Sequence, residues 1–177
     1  MTKETTKFMR FHIFTKTLLL ILFFGMSSFA QVQTKDVYVD KNATGNLDGS
    51  SWTDAYNSLK LALDNVNSAQ DTAVNTVHKV HIAEGIYYPV ISPPSNDSTS
   101  SFLITHDSIQ VIGGYPTGGG QRDPENHKVI LSGDIQKNDQ DPDGDGVIES
   151  TILLARTNSK NVMVIDGRQD GTINNSL

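Results

Sequence analysis

Val80-His81-Ile82-Ala83-Glu84-Gly85 is the first of four short runs that each end on a glycine, and these runs decide the predicted fold. The other three runs occupy residues 109–114, 128–133 and 162–167. Three places before its glycine, every run carries a β-branched apolar residue, namely Ile82, Val111, Ile130 or Val164. The residue five places before is apolar in three of the four runs, and this period of two indicates strands with one buried face. The closing glycine permits a tight corner.

The spacing of the four glycines indicates a repeat that carries insertions. The glycines lie 29, 19 and 34 residues apart. The first interval contains a Pro/Ser/Asn-rich stretch at 89–97, and the third contains an Asp-rich stretch at 139–149. Without these stretches each interval is roughly 20 residues long, which is within the range of solenoid repeats. The pattern therefore predicts one strand per coil of a stacked β-solenoid. A β-sandwich whose strands happen to end in glycine is the alternative.

Residues 1–30 have the pattern of an export signal. Four basic side chains accompany an apolar run at 18–24, and Ser28-Phe29-Ala30 places small residues at the two positions that a signal peptidase reads. We therefore expect cleavage before Gln31. The apolar run is about half as long as the roughly 20 residues that a bilayer span requires, so an uncleaved membrane anchor is the less favoured alternative.

The composition after residue 30 fits an exported all-β domain. Loss of the leader changes the formal net charge from −6 to −9, which argues against nucleic acid and anionic membranes as partners, because both attract basic patches. The chain has no cysteine, so a disulfide scaffold is excluded. The 14 glycines and the many Asn, Asp, Ser and Thr residues favour a turn-rich all-β chain.

The predicted organisation has three segments. A signal peptide occupies 1–30, an N-terminal strand and a capping helix occupy 31–76, and the first coils of the solenoid occupy 77–177, with inserted loops at 89–100, 117–124 and 139–150. Ser51 to Asp54 fits a capping box, behind which apolar residues recur at helical spacing from Ala55 to about Asn65. Because the end of a solenoid exposes its apolar interior, we expect this helix to cap it. We also expect the chain to be the N-terminal part of a longer protein, since few coils precede Leu177.

Several motifs, taken in order, resemble the opening of exported right-handed parallel β-helix proteins of Gram-negative bacteria. They are Val37-Tyr38-Val39-Asp40, Asp48-Gly49-Ser50-Ser51-Trp52, the stretch 80–87, Ile112-Gly113-Gly114-Tyr115 and Leu131-Ser132-Gly133-Asp134. This group is similar to the pectate-lyase-like superfamily and to polymorphic outer-membrane protein repeats. The resemblance covers most of 37–167 and implies a right-handed parallel β-helix at the cell surface, in the outer membrane or outside the cell. It does not fix the function, because that fold carries lyases, hydrolases, adhesins and stalks.

The stretch from 139 to 149 alternates carboxylates with other residues around a glycine, as calcium loops do. The predicted ligands are Asp139, Asp141, Asp143, Asp145, the Val147 carbonyl and Glu149. The preferred register starts at Asp141, and an alternative register starts at Asp139. Neither register has a carboxylate at the twelfth position, so the pattern is closer to the compact Asp-rich calcium loops of extracellular repeat proteins than to an EF-hand. A solvated acidic loop without an ion is the alternative.

No catalytic constellation is evident. His78 and His81 are three apart on a predicted strand, so they point to opposite faces, and His106 and His127 have no second histidine or cysteine at ligand spacing. We predict structural or surface roles for all four. Arg168 is the best candidate for a lyase base, although a surface ion pair is the favoured interpretation. Five aromatic residues could stack on sugar rings, with packing favoured for the first two: Trp52, Tyr56, Tyr87, Tyr88 and Tyr115.

The favoured function is a secreted or cell-surface β-helix scaffold that adheres to, or contacts, glycans, with calcium ordering the acidic loop. The expected partner is an extracellular polysaccharide or a cell-surface component. The main alternative is the N-terminal part of a secreted polysaccharide lyase or glycoside hydrolase whose catalytic coils lie downstream. A passive structural stalk is the third possibility.

Overall fold

The computed structural model describes residues 31–69, 76–105, 107–148 and 150–166. The predicted signal peptide at 1–30 lies outside these residues. So do His106, Glu149 and Arg168, together with the glycine that closes the fourth run.

Seven strands and one α-helix make up the regular structure of the described residues. The first sheet has the order β1-β2-β5, with β1 at Gln33–Val39, β2 at Thr76–Ala83 and β5 at Ile109–Tyr115. The second sheet pairs β3 (Gly85–Tyr87) with β6 (Val129–Leu131), and the third pairs β4 (Phe102–Ile104) with β7 (Met163–Ile165). The helix α1 (Leu59–Ser68) lies between β1 and β2 in the chain, and a single 3₁₀ turn occupies Thr151–Leu153.

Every pairing between these strands is parallel, and the chain visits the three sheets twice in the same order. The strands β2, β3 and β4 belong to the first, second and third sheets, and β5, β6 and β7 repeat that sequence. Val80 lies opposite Val111, Ile86 opposite Ile130 and Leu103 opposite Val164. Strand residues predominate over helix, which confirms the predicted all-β class.

The predicted alignment of the four runs is wrong in one respect. The alignment assigns all four runs to equivalent strands, whereas only the first two share a sheet. Even there the register differs by two residues, since Val80 pairs with Val111 rather than with Ile109. The closing glycines do not occupy equivalent positions, because Gly85 begins β3 in another sheet with a φ of +138°, whereas Gly114 lies within β5. Gly85 therefore marks a corner between two sheets.

The core lies inside the three sheets and under the helix. Strand residues of alternate positions form it, joined by one face of α1: Val37, Val39, Val80, Ile82, Tyr87, Phe102, Ile104, Leu59, Ala62, Leu63 and Val66. Ile82 and Val111 face this core as predicted. Ile130 and Val164 do not, because their neighbours Val129, Leu131 and Met163 pack against it instead.

The helix begins one turn later than the sequence predicts. Half of the predicted capping box forms, because Ser51 Oγ accepts from the Asp54 N–H at 3.1 Å. The Asp54 carboxylate accepts instead from the Ser51 hydroxyl at 3.0 Å and from the Asn46 N–H at 2.8 Å. The chain then extends, and Tyr56 pairs with β1 by accepting from the Asp40 N–H. The N-cap of α1 is Ser58, whose hydroxyl accepts from the Leu61 N–H.

The helix packs against β1, β2 and β4. Asn67 extends this contact to the backbone, because its amide donates to the Leu103 carbonyl at 2.7 Å and accepts from the Thr105 N–H at 3.1 Å. Its side chain thus satisfies the β4 edge that faces away from β7, where a further strand would pair. No helix in the described part of the chain has the length and apolarity that crossing a membrane requires.

Candidate metal centre

The acidic loop, residues 139–149, is closed at its base by Asp139. One carboxylate oxygen of Asp139 accepts from the Ala155 N–H at 2.6 Å, and the other accepts from the Asn158 side-chain amide at 2.7 Å. The Gln140 N–H donates to the Leu153 carbonyl at 2.9 Å. These bonds join the start of the loop to residues 153–158, which follow the loop in the chain.

The far part of the loop lies on the outer face of the second sheet. Ile86 and Ile130 form a register pair there, and a Cβ on Gly146 would come within 2.8 Å of the Cδ1 atom of each. Gly146 also has a φ of +86°, a conformation that other residues adopt only at a cost. A glycine at this position therefore allows the backbone to rest directly on the two isoleucines.

Three aspartates converge above this contact. Asp141, Asp143 and Asp145 each offer a carboxylate oxygen, and these oxygens all lie within 4.8 Å of one another. Two ligands of one calcium ion, each at about 2.3 to 2.6 Å, are at most roughly 5 Å apart. The three oxygens could therefore contact one ion. Asp141 is half-buried, whereas Asp143 and Asp145 are exposed.

Backbone donors hold the aspartates in this arrangement. Asp141 accepts from the Gly146 N–H at 2.8 Å and from the Gly144 N–H at 2.9 Å, and Asp145 accepts from the Val147 N–H at 2.8 Å. The bond from Gly146, followed by that from Gly144, lowers the pKa of Asp141 below its usual value. Each carboxylate oxygen keeps a second lone pair for a cation.

The structure thus brings together three of the six predicted ligands. Asp139 belongs to the base of the loop and is not part of the cluster, so the geometry favours the register that starts at Asp141. Val147 is 52 % exposed, and Glu149 lies outside the described residues. A cluster of three carboxylates can bind a metal ion.

Two histidines make contacts that spacing along the chain does not reveal. His81 Nε2 lies 2.8 Å from Asp36 Oδ1, and its Nδ1 lies 2.9 Å from the hydroxyl of Tyr115, so one residue from each strand of the first sheet takes part. His127 Nδ1 lies 2.9 Å from Glu84 Oε2. This hydrogen bond, with a second from the Thr117 N–H, lowers the pKa of Glu84. No motif or spacing in the sequence signals either contact, because each joins residues at least 34 positions apart.

The other histidine and aromatic predictions can also be placed. His78 is buried and His81 faces outward, so the two point to opposite faces as predicted. Trp52 packs between Tyr38 and Tyr115, with ring centroids 5.0 and 5.1 Å apart, which agrees with the packing role favoured for it.

The remaining aromatic candidates also contact the protein. Tyr87 is buried, its hydroxyl donates to the Ala83 carbonyl at 2.9 Å, and burial raises the pKa of its phenol. Lys137 Nζ lies 4.8 Å from the centre of the Tyr88 ring, and burial raises the pKa of Tyr88 as well.

Comparison with protein-family models, with curated proteins and with solved structures finds no match to this chain.

Proposed function

We propose that residues 31–166 contain the first coils of a right-handed parallel β-helix, and that the chain serves as a secreted or cell-surface scaffold for adhesion or glycan contact. The observation that supports the fold is the repeated order of the three sheets, visited twice through parallel pairs alone. The right-handed sense is the one that crossovers between parallel strands almost always adopt.

The outer face of the first sheet supports a contact role. Asp36, Tyr38, His81 and Tyr115 lie there as a connected set of aromatic and hydrogen-bonding groups, all of them at least partly exposed. Such a surface combines apolar ring edges with polar atoms, which is the composition that sugars bind. The set spans three neighbouring strands, so a rigid platform carries it.

Calcium in the acidic loop completes this proposal. An ion held by Asp141, Asp143 and Asp145 would offset the mutual repulsion of the carboxylates and fix the loop on the second sheet. A ligand that binds only the folded state stabilises it by about 2.7 kcal/mol at 100 times its Kd. For a domain of this size we expect a rise in Tm of roughly 5 to 10 °C.

The calcium test compares melting of the full chain in calcium, in magnesium and in chelator. The variant Asp143→Asn, Asp145→Asn should lose the calcium-dependent rise, whereas Glu125→Gln, which removes one exposed carboxylate elsewhere, should keep it. Titration calorimetry should give about one calcium per chain for the wild type. An equal Tm in calcium and chelator would remove the ion from the proposal.

The scaffold and enzyme alternatives separate on a polysaccharide. If the chain is a scaffold that contacts acidic glycans, it should bind polygalacturonate in the presence of calcium without cleaving it. A lyase would instead release an unsaturated product that absorbs in the ultraviolet, and that absorbance would replace the scaffold with the enzyme. If the chain neither binds nor cleaves any of a set of neutral and acidic polysaccharides, that result would favour the passive stalk.

A further inference from the structure

A surface groove of about 380 Å³ lies where β5 ends, between the acidic loop and the segment that leads into β6. Its polar lining includes Arg122, His127, Lys128 and Asp145, and Val129 and Val147 contribute apolar walls. This volume is within the range of small-ligand sites. The groove is separate from the platform on the first sheet and borders the metal cluster only through Asp145.

A hydrogen bond from Arg122 Nε to the backbone holds this side chain in the groove. Its Nε donates to the Gly113 carbonyl at 2.7 Å, and the next residue, Asp123, donates its N–H to the Gly114 carbonyl at 2.7 Å. Gly114 has a φ of +97°, and a Cβ there would come within 2.9 Å of Pro124. The glycine therefore lets the 122–124 segment close over the end of β5. The two terminal nitrogens of the guanidinium make no hydrogen bond within the described part of the chain.

A second cation and an oriented imidazole line the same groove. Lys128 Nζ makes neither an ion pair nor a hydrogen bond with any residue that the structure describes, in contrast to Lys60, which pairs with Asp64 at 2.5 Å. His127 is fixed through Nδ1 by Glu84, and its Nε2 has no partner among the described residues. Both cations are exposed to solvent in this groove, so their charges remain available to an anionic ligand.

We propose that the groove binds the tetrahedral oxyanion of a phosphate or sulfate ester, with Arg122 and Lys128 as its principal ligands. A planar carboxylate would be satisfied by the fork of one guanidinium. Two cations on separate residues of one groove offer donors from two side chains, which suits an anion with three free oxygens. Asp145 opposes binding by its charge, so the ligand lies on the Arg122 and Lys128 side of the groove.

The test measures binding of ester probes to the full chain in chelator, so that it does not depend on the calcium proposal. The probes are inorganic phosphate, inorganic sulfate, glucose 6-phosphate and glucose 6-sulfate. Binding of each is measured by ¹H–¹⁵N NMR, in which the side-chain signals of Arg122 and His127 are observed directly. The tighter of the two sugar esters identifies the source of the anion. Acetate and glucuronate serve as planar carboxylate probes and should bind at least about tenfold more weakly.

Variants that remove a cation and a variant that removes an anion should change the affinity in opposite directions, which a general folding defect would not do. Arg122→Gln and Lys128→Gln should each lower the association constant by about tenfold, since each removes a charge-assisted hydrogen bond. Asp145→Asn should raise it by about two- to threefold, because it removes a repulsive charge. Lys160→Gln, at an exposed lysine outside the groove, should leave it unchanged. Carboxylates that bind as tightly as the esters, or ester binding that survives in both cation variants, would overturn the proposal.

Discussion

Gly144 and Gly146 are two positions apart, and they have different structural roles. Both have positive φ, +74° and +86°, so both turn the acidic loop. A Cβ at Gly144 would meet nothing within 4 Å, whereas one at Gly146 would meet Ile86 and Ile130. Only Gly146 is therefore required by packing as well as by backbone conformation.

We predict that Gly146→Ala destabilises the chain more than Gly144→Ala does. Each substitution should cost about 1 kcal/mol because of the left-handed backbone conformation. Gly146→Ala should cost roughly 1 kcal/mol more, because the two isoleucines must shift. The free energies of unfolding from chemical denaturation check this difference. Equal losses for the two variants would mean that the loop does not rest on the second sheet.

Glu84 gives a pH-dependent contribution whose sign follows from its environment. In the folded state, the hydrogen bond from His127, and then that from the Thr117 N–H, lowers the pKa of Glu84 below its ordinary value of 4.5. The contribution to stability is therefore complete above about pH 4.5 and is lost as the pH falls through the lower folded-state pKa. Glu84→Gln should be less stable than wild type near pH 7, and the gap should narrow on acidification.

Unfolding curves at a series of pH values, for wild type and Glu84→Gln, measure this gap. Glu125→Gln is the matched control, because the Glu125 side chain is exposed and makes no hydrogen bond within the described residues. A gap between Glu84→Gln and wild type that stays constant, or widens, as the pH falls would contradict the assignment.

At the scale of elements, the first sheet specifies a register that can be tested covalently. Lys79 of β2 lies opposite Gln110 of β5 on the outer face, and the native chain has no cysteine. Register partners on neighbouring strands are about 4.8 Å apart, which is within the range of Cα separations that a disulfide spans. Lys79→Cys, Gln110→Cys should therefore crosslink on mild oxidation.

A second cysteine pair provides the control for that crosslink. Lys79→Cys, Ile112→Cys places the cysteines two residues out of register, so it should crosslink far more slowly. The two yields are compared by mass spectrometry of proteolytic fragments. Preferred crosslinking of Lys79→Cys with Ile112→Cys would show that the register is shifted by two residues.

The elements also show what the sequence could and could not predict. The aspartate cluster was predictable, because its three members lie within five residues and a turn brings them together. The inward face of β6 and β7 was not, because the closing glycines are not equivalent: Gly114 lies within β5, whereas Gly133 lies two residues after the end of β6. The helix start was shifted because Tyr56 pairs with β1, and local capping signals do not report such a tertiary contact. Glu84 and His127 are 43 residues apart, and only the folded chain joins them.

At the scale of the whole molecule, α1 and the strands of all three sheets share one apolar core. Leu63 is fully buried in it, together with Phe102 of β4 and Val80 of β2. A shared core couples the elements, because no sheet can lose its contacts without exposing the apolar surface of the others. The described residues should therefore unfold in one cooperative transition rather than sheet by sheet.

We predict that Leu63→Ala lowers the free energy of unfolding by about 2 to 5 kcal/mol, through lost burial and the cavity that remains. Leu61→Ala is the matched control, because Leu61 is on the same helix and only half-buried outside the core, so it should cost about 1 kcal/mol or less. Hydrogen exchange then distinguishes cooperative from local unfolding. Leu63→Ala should reduce the protection of amides in β2, β4 and β5 by the same free energy. Loss of protection confined to α1 would show that the helix unfolds independently and that the three sheets remain folded without it.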